Sequence, residues 1–301
     1  MTDLFFNYVV RNFAKYIYKA FCPKSYKHNR RYWPFYRVIR NADGYIESVY
    51  FRNKLIADHR SNVRVSNHAC MLVATGPSAK HIPTKFINND QVDFIGVNGS
   101  IALSNINFKH YVIIDHDFVQ HRFDLVQQVL ASDCNLFTTI RCMDEILKRV
   151  SIDQIVCVIN IIEIYSSGKI ERLMQPSQQQ DIHHPNYFFH QNFGFSLNYR
   201  DATFDYFTVA YTALQIAFGL DYTTIYMIGV DLNNLNQPRF YETEEHKQPT
   251  WLNQHLDAIL TAFYTASLAS QQQNIRVYNL SEHSLLECFP KRSFTEDNEP
   301  M

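Results

Sequence analysis

The run Cys70-Met-Leu-Val-Ala-Thr75, stopped by Gly76-Pro77-Ser78, decides the fold. A short apolar run ending in turn residues reads as a strand. Two more follow: Asp93–Val97 stops at Asn98-Gly99-Ser100, and His110–Ile114 stops at Asp115. Outward from these, Val119–Ala131 is expected as a helix, Asn135–Ile140 as a strand, Asp144–Val150 as a helix and Gln154–Asn160 as a strand. Helix Phe204–Phe218 carries Tyr206, Val209, Ala210, Ala213, Ile216 and Ala217 on one side. It is followed by strand Thr224–Val230 with Asp231 at its end, helix Leu252–Ser270 and strand Ile275–Leu280. Strands alternating with helices imply an α/β fold with a doubly wound, mostly parallel, Rossmann-like sheet.

The 301 residues suffice for one large domain or two modest ones. With 46% hydrophobic and 19% charged residues the chain is globular and not disordered. Eight glycines and ten prolines exclude collagen-like and linker-rich designs. A net charge of −1 excludes the global basicity of a nucleic-acid binder. The charge is unevenly spread. Residues 1–40 hold nine Lys/Arg against Asp3, leaving 19 basic and 28 acidic residues elsewhere. In this segment Leu4, Phe5, Tyr8, Val9, Phe13, Tyr16, Ile17 and Ala20 recur at helical spacing, with Arg11, Lys15 and Lys19 along one flank. The basic, aromatic stretch Lys24–Arg37 follows. Residues 1–40 are thus expected to be an amphipathic segment lying on an anionic membrane surface, the alternative being a helix docked on its own domain with its cations solvated. Residues 41–301 are expected to form the Rossmann-like domain. Arg11, Lys15 and Lys19 break Leu4–Phe21 too often for a signal peptide or a spanning helix. Six cysteines without a C-x-x-C pair read as reduced thiols. The Gln-, His- and aromatic-rich stretch at about 161–200 fits the alternation poorly and is expected as an insertion, a lid or a mobile loop. The tail after Phe294 is expected to fray.

Ligands of open parallel sheets bind outside the carboxyl ends of the strands. Thr75-Gly-Pro-Ser78, Asn98-Gly-Ser100, Asp115 and Asp231 therefore suggest one polar cradle. Thr75, Gly76 and Ser78 form neither a G-x-G-x-x-G turn nor a P-loop. Gly76 would allow close backbone approach, and Ser78 could offer a hydroxyl. Asp115-His116-Asp117 with His121 has metal-ligand types, although Asp115 reads better as a strand-end group.

Val73–Ser78, Val97–Ser100 and Ile225–Asp231 resemble bacterial CMP-sugar-dependent glycosyltransferases, broadly the lipooligosaccharide sialyltransferases. Ala74 stands where that pattern has glycine. Phe94–Ser100, Tyr111–Asp115, His121-Arg122, Phe193–Ser196, Thr208 with Ala213–Ala217, Arg239–Glu242 and Tyr278–Ser281 are more similar to the inner-core transferases that add a further 3-deoxy-D-manno-octulosonic acid (Kdo) to lipopolysaccharide. The likeness covers about residues 70–285. It implies a GT-A-like single nucleotide-binding domain moving Kdo, or a related acidic sugar, from CMP to a lipopolysaccharide core by direct displacement. Neither metal nor cofactor is expected. Reduced thiols and the cationic segment 1–40 place the expected protein in the cytoplasm, peripheral on the inner face of the bacterial inner membrane, and the aromatic surplus suits either a homo-oligomeric interface or a lipid-facing patch. The resemblance implies that Ser78, Asn98, Gly99 and Ser100 touch the donor and that Thr208 holds its phosphate or carboxylate. Arg239 and Tyr241 would draw on the departing phosphate. A histidine between the Asp231 strand and the last helix would be the base, His255 ahead of His246. The alternatives are a CMP-sialic-acid-dependent sialyltransferase, another nucleotide-dependent transferase, or a non-catalytic envelope-assembly protein.

Overall fold

The computed structural model describes residues 2–292 except 61, 62, 64, 66, 167, 180, 234, 236, 249 and 251, with side chains from residue 10 onward. It opens with helix α1 (Thr2–Phe21), a 3₁₀ stretch (Lys24–Arg31) and strands β1 (Tyr36–Arg40), β2 (Ile46–Phe51) and β3 (Lys54–Asp58). The alternating region holds β4 (Ala69–Val73), α2 (Thr84–Ile87), β5 (Val92–Val97), β6 (Phe108–Ile113), α3 (His116–His121), α4 (Phe123–Leu130), β7 (Asn135–Thr139), α5 (Ile140–Ile146) and β8 (Val158–Ile162). Short strands follow: β9 (Ile164–Ser166), β10 (Lys169–Ile170), β11 (Gln178–Gln179), β12 (Tyr187–His190), β13 (Phe193–Ser196) and β14 (Thr203–Phe204). Then come α6 (Val209–Gly219), β15 (Thr224–Ile228), α7 (Leu256–Gln272) and β16 (Arg276–Asn279).

The expected parallel sheet has seven strands in the order β16-β15-β4-β5-β6-β7-β8. Every neighbouring pair in it is parallel. Successive side chains of a strand face opposite ways, so each strand feeds two cores. Cys70 and Leu72 enter the core under α6 and α7, while Met71 and Val73 enter the core under α2 to α5. Burial on both faces explains the unbroken apolar runs. β4 is the hinge of the topology. From it the chain adds β5 to β8 on one side, then returns to add β15 and β16 on the other. The switch point therefore lies between β4 and β15.

Several boundaries depart from expectation. The helix expected at 119–131 is two helices, α3 and α4, separated at Arg122, whose backbone (φ −123°, ψ 46°) is not helical. The helix expected at 144–150 lies earlier, as α5, because Thr139 Oγ1 accepts the Cys142 amide at 3.2 Å and starts it there. The helix expected from Phe204 begins at Val209, since Phe204 pairs with Tyr165 in a small sheet. The insertion is a folded part of the molecule: Tyr165, Ile170, Tyr187, Phe195 and Phe204 join the core under α6 and α7. All six cysteines are free thiols. The tail after Phe294 lies outside the described residues.

The N-terminal segment packs on the domain. Arg11 forms a two-pronged pair with the buried Asp144 (2.8 and 2.9 Å), and the Tyr36 hydroxyl donates to the same carboxylate at 2.9 Å. The buried Asn29 donates to the Gln175 carbonyl at 2.8 Å and accepts the Met174 amide at 2.8 Å. Arg11 thus leaves the cationic flank assigned to it. Ala14 and Tyr18 turn inward, while Phe13, Tyr16 and Phe21 are 67%, 75% and 84% exposed. Lys19, Lys24, Lys27, Arg30 and Arg31 are exposed as well. No helix among the described residues is long and apolar enough to cross a membrane.

Candidate active site

Outside the carboxyl ends of β4, β5, β6 and β15 lies a cleft of about 390 Å³. It sits at the switch point, where open α/β sheets bind ligands. Two glycines let the central loops interlock there. The Gly76 amide donates to the Gly229 carbonyl at 2.8 Å, and a Cβ at Gly76 would overlap Asp231 Oδ2. Gly229 has φ +81°, and a Cβ there would lie 2.6 Å from the Ala74 carbonyl.

Thr75, Gly76, Asn98, Asp115, Thr208, Asp231 and Arg239, all expected in the site, line this one cleft. Asp231 is buried and accepts the Ser78 amide at 3.0 Å. Asp115 caps α3, its Oδ1 accepting the amides of Asp117 (2.9 Å) and Phe118 (3.2 Å). Thr208 precedes α6 and makes no side-chain cap, and it lines the cleft with Val209 and Ala210, the first residues of that helix. Arg239 is fixed by Glu242, which pairs with its guanidinium at 2.8 Å and accepts its amide at 2.9 Å. The Phe240 amide donates to the Thr75 carbonyl at 3.2 Å and holds this loop to the end of β4. Asn98 Oδ1 is buried without a hydrogen-bond partner among the described residues, as a group awaiting a donor from a ligand would be.

Ser78, Gly99, Ser100, Tyr241 and His255 do not line the cleft. Ser78 Oγ is 2.8 Å from Ser281 Oγ and accepts the Gly229 amide at 3.0 Å, so it stitches two strand ends together. Ser100 is fully buried and its Oγ accepts the Val97 amide at 2.9 Å. The Tyr241 ring covers Gly99 so closely that a Cβ there would overlap it, and Arg122 lies 4.9 Å over the ring. His255 precedes α7 and stacks flat on Phe207 at 3.6 Å. His246 is exposed on a separate turn. His121 Nδ1 is 2.8 Å from the Asp117 carbonyl, away from His116. Among the described residues no group of three or more His, Cys, Asp or Glu side chains could hold a metal ion.

Three cleft residues escaped the sequence reading. Arg141 at the start of α5 and Lys247 in the loop after β15 bring two more cations beside Arg239. Asp205 brings a carboxylate. Solvent reaches its side chain through the cleft, while the protein crowded around it and the nearby Asp115 push the carboxyl up to about 6; the Phe207 amide pulls the other way. Backbone strain gathers here too. Asn98 (φ +44°), Phe207 (φ +63°) and Leu232 (φ +57°) are all non-glycine residues in the left-handed region, and all three line the cleft. Such conformations persist where the surroundings impose them, and they cluster at functional sites.

Fold and cleft define an α/β protein whose open parallel sheet presents a cation-bearing, polar pocket at its switch point. Residues 184–288 match the family described as 3-deoxy-D-manno-octulosonic acid transferase WaaZ. A protein of Salmonella typhimurium strain LT2, described as a probable 3-deoxy-manno-octulosonic acid transferase, is 33% identical over 79 residues. That stretch is 26% of this chain and 28% of the relative, so the chain spans little more than a quarter of the relative's length. No solved structure matches the chain. The likeness to Kdo transferases read from short motifs holds over 184–288, which carries Thr208, Asp231 and Arg239 but not Gly76, Asn98 or Asp115.

Proposed function

We propose that this protein is a glycosyltransferase that moves Kdo from CMP-Kdo onto a lipopolysaccharide core. The observation that carries the reading is the cleft itself, which Arg141, Arg239 and Lys247 line together with Thr208 and Val209 at the uncapped start of α6. Helix N-termini and guanidinium groups both attract anions. CMP-Kdo bears a phosphodiester and a sugar carboxylate, so two anionic groups need such partners. Arg239, held by Glu242, gains most as charge grows on the departing phosphate, which lowers the barrier and does not merely tighten binding. Asn98 and Asp115, both lining the cleft, would meet hydroxyl or amine groups of the donor.

The acceptor is a phosphorylated glycolipid, and the exposed Phe13, Tyr16 and Phe21 among lysines and arginines suit the surface of an anionic bilayer. Two measurements test the reading. In a thermal-shift series CMP should stabilise the protein more than UMP, AMP or GMP, and CMP-Kdo with a truncated core glycolipid should release CMP. Preference for another nucleotide, or CMP release from CMP-sialic acid alone, would move the protein to a different transferase class. For the membrane part, F13S/Y16S/F21S should cut binding to vesicles containing 30 mol% anionic lipid by about tenfold or more, the three rings each adding a favourable interfacial contribution. Unchanged binding removes it.

A further inference from the structure

Resting on the glycosyl-transfer reading, we propose that Asp205 is the general base that takes the proton of the acceptor hydroxyl. Asp205 is exposed in the cleft and takes the Phe207 amide but no ion pair among the described residues. Asp231 is buried against the Ser78 amide, Asp115 caps α3, and Glu242 is committed to Arg239. Asp117 is 71% exposed beside His116. The histidines are placed less well. His116 Nδ1 is buried, and its Nε2 faces Glu145 Oε2 at 3.7 Å. His255 lies flat against Phe207, outside the lining.

The backbone before Asp205 is rigid. The buried Gln215 accepts the Phe204 amide at 2.8 Å and donates to the Phe204 carbonyl at 2.8 Å, so Asp205 leaves a residue clamped on both sides. After it, the left-handed Phe207 turns the chain into α6. The base therefore sits four residues before the start of α6, which would hold the donor's anion. A carboxyl raised toward neutrality by crowding and by Asp115 is a stronger base than an ordinary aspartate and remains ionised at pH 7.5. Arg141, Arg239 and Lys247 line the same cleft. In the step, the hydroxyl proton passes to an Asp205 carboxylate oxygen and the acceptor oxygen bonds to the anomeric carbon. The bond from that carbon to the phosphate oxygen breaks, and its electron pair leaves with CMP. The protonated Asp205 then returns its proton to water.

The test uses the full chain with CMP-Kdo and a truncated core glycolipid. D205N should bind CMP within about twofold of the wild type, while its kcat falls by about 10²- to 10⁴-fold. The wild-type kcat should decline on the acid side near pH 6, and the residual activity of D205N should lack that limb. D205E, which keeps the charge but displaces it by one methylene, should recover part of the rate. If D205N does not fold, D205E decides: lowered kcat at unchanged CMP affinity supports the assignment and unchanged kcat overturns it. A D205N enzyme within about threefold of the wild-type kcat, acid limb intact, sinks the base and leaves the transferase standing. So does a parallel loss of CMP affinity and rate, which would make Asp205 a donor-binding group. A wild-type protein that neither binds CMP nor turns over CMP-Kdo sinks both.

Discussion

Gly76 shows how little room single residues have at this site. Its α-carbon faces Asp231 and the Gly229 carbonyl, and any side chain would push the two central loops apart. Overpacking of this kind costs about 1–3 kcal/mol, and here it falls on the cleft floor. Gly76→Ala should therefore weaken CMP binding by about tenfold or more, roughly 1.4 kcal/mol, while circular dichroism keeps the wild-type shape; calorimetric titration reads the affinity. Glycine at 76 was legible from the strand-stop pattern. The partner that makes it necessary, Asp231, lies far along the chain and becomes its neighbour only when β15 is laid beside β4. Asp205 and Arg141 were illegible for the same reason. Neither has a local signature, and each acquires meaning from the cleft it shares with residues of other strands.

At the scale of elements, the parallel strands were legible because burial on both faces demands unbroken apolar runs, as in β4, where Cys70, Met71, Leu72 and Val73 are all buried. Helix starts were less legible, being set by particular hydrogen bonds such as Thr139 to Cys142. The β1–β3 meander was missed altogether. Its burial is uneven, and Arg37 and Arg40 in β1 read as part of a basic segment. Arg40 in fact turns inward. With Arg172 it surrounds Glu163, which accepts Arg40 Nη2 at 2.6 Å, Arg172 Nη1 at 2.9 Å and the Leu173 amide at 2.6 Å; Arg172 also pairs with Asp201. This buried cluster ties the meander to the insertion. Removing one partner of a buried pair strands the other charge, at about 3–5 kcal/mol. Glu163→Ala should lower the unfolding free energy by that amount in a urea titration. A loss below about 1 kcal/mol would mean the arginines find water instead.

For the molecule as a whole, acid is the revealing stress. Burial holds His59 and His110 down to about 4, His59 with help from Arg200 and His110 with help from Lys109. In the unfolded chain both would titrate near 6.5. Between pH 6.5 and 4 the unfolded chain therefore binds more protons at these sites, and stability falls as pH falls through that window; above it their contribution is complete. Each histidine contributes a slope of up to about 1.4 kcal/mol per pH unit. Asp205, raised instead of lowered, works the other way below pH 6 and offsets part of the loss. The melting temperature should thus drop between pH 7 and 5, most steeply between about 6 and 5.5. A flat profile over that range would show that neither histidine resists protonation.

The pairing of Arg11 with Asp144 has a practical corollary. Helix α5 carries Arg141 into the pocket at one end and Asp144 under α1 three residues on. Trimming the first thirty-five residues to improve handling would leave Asp144 without its guanidinium and uncover the hydroxyl of Tyr36. The shortened protein would then report a disturbed cleft wall as readily as a loss of the proposed membrane contact. Altering outward-facing rings one at a time, with α1 left in its seat, keeps the two effects apart.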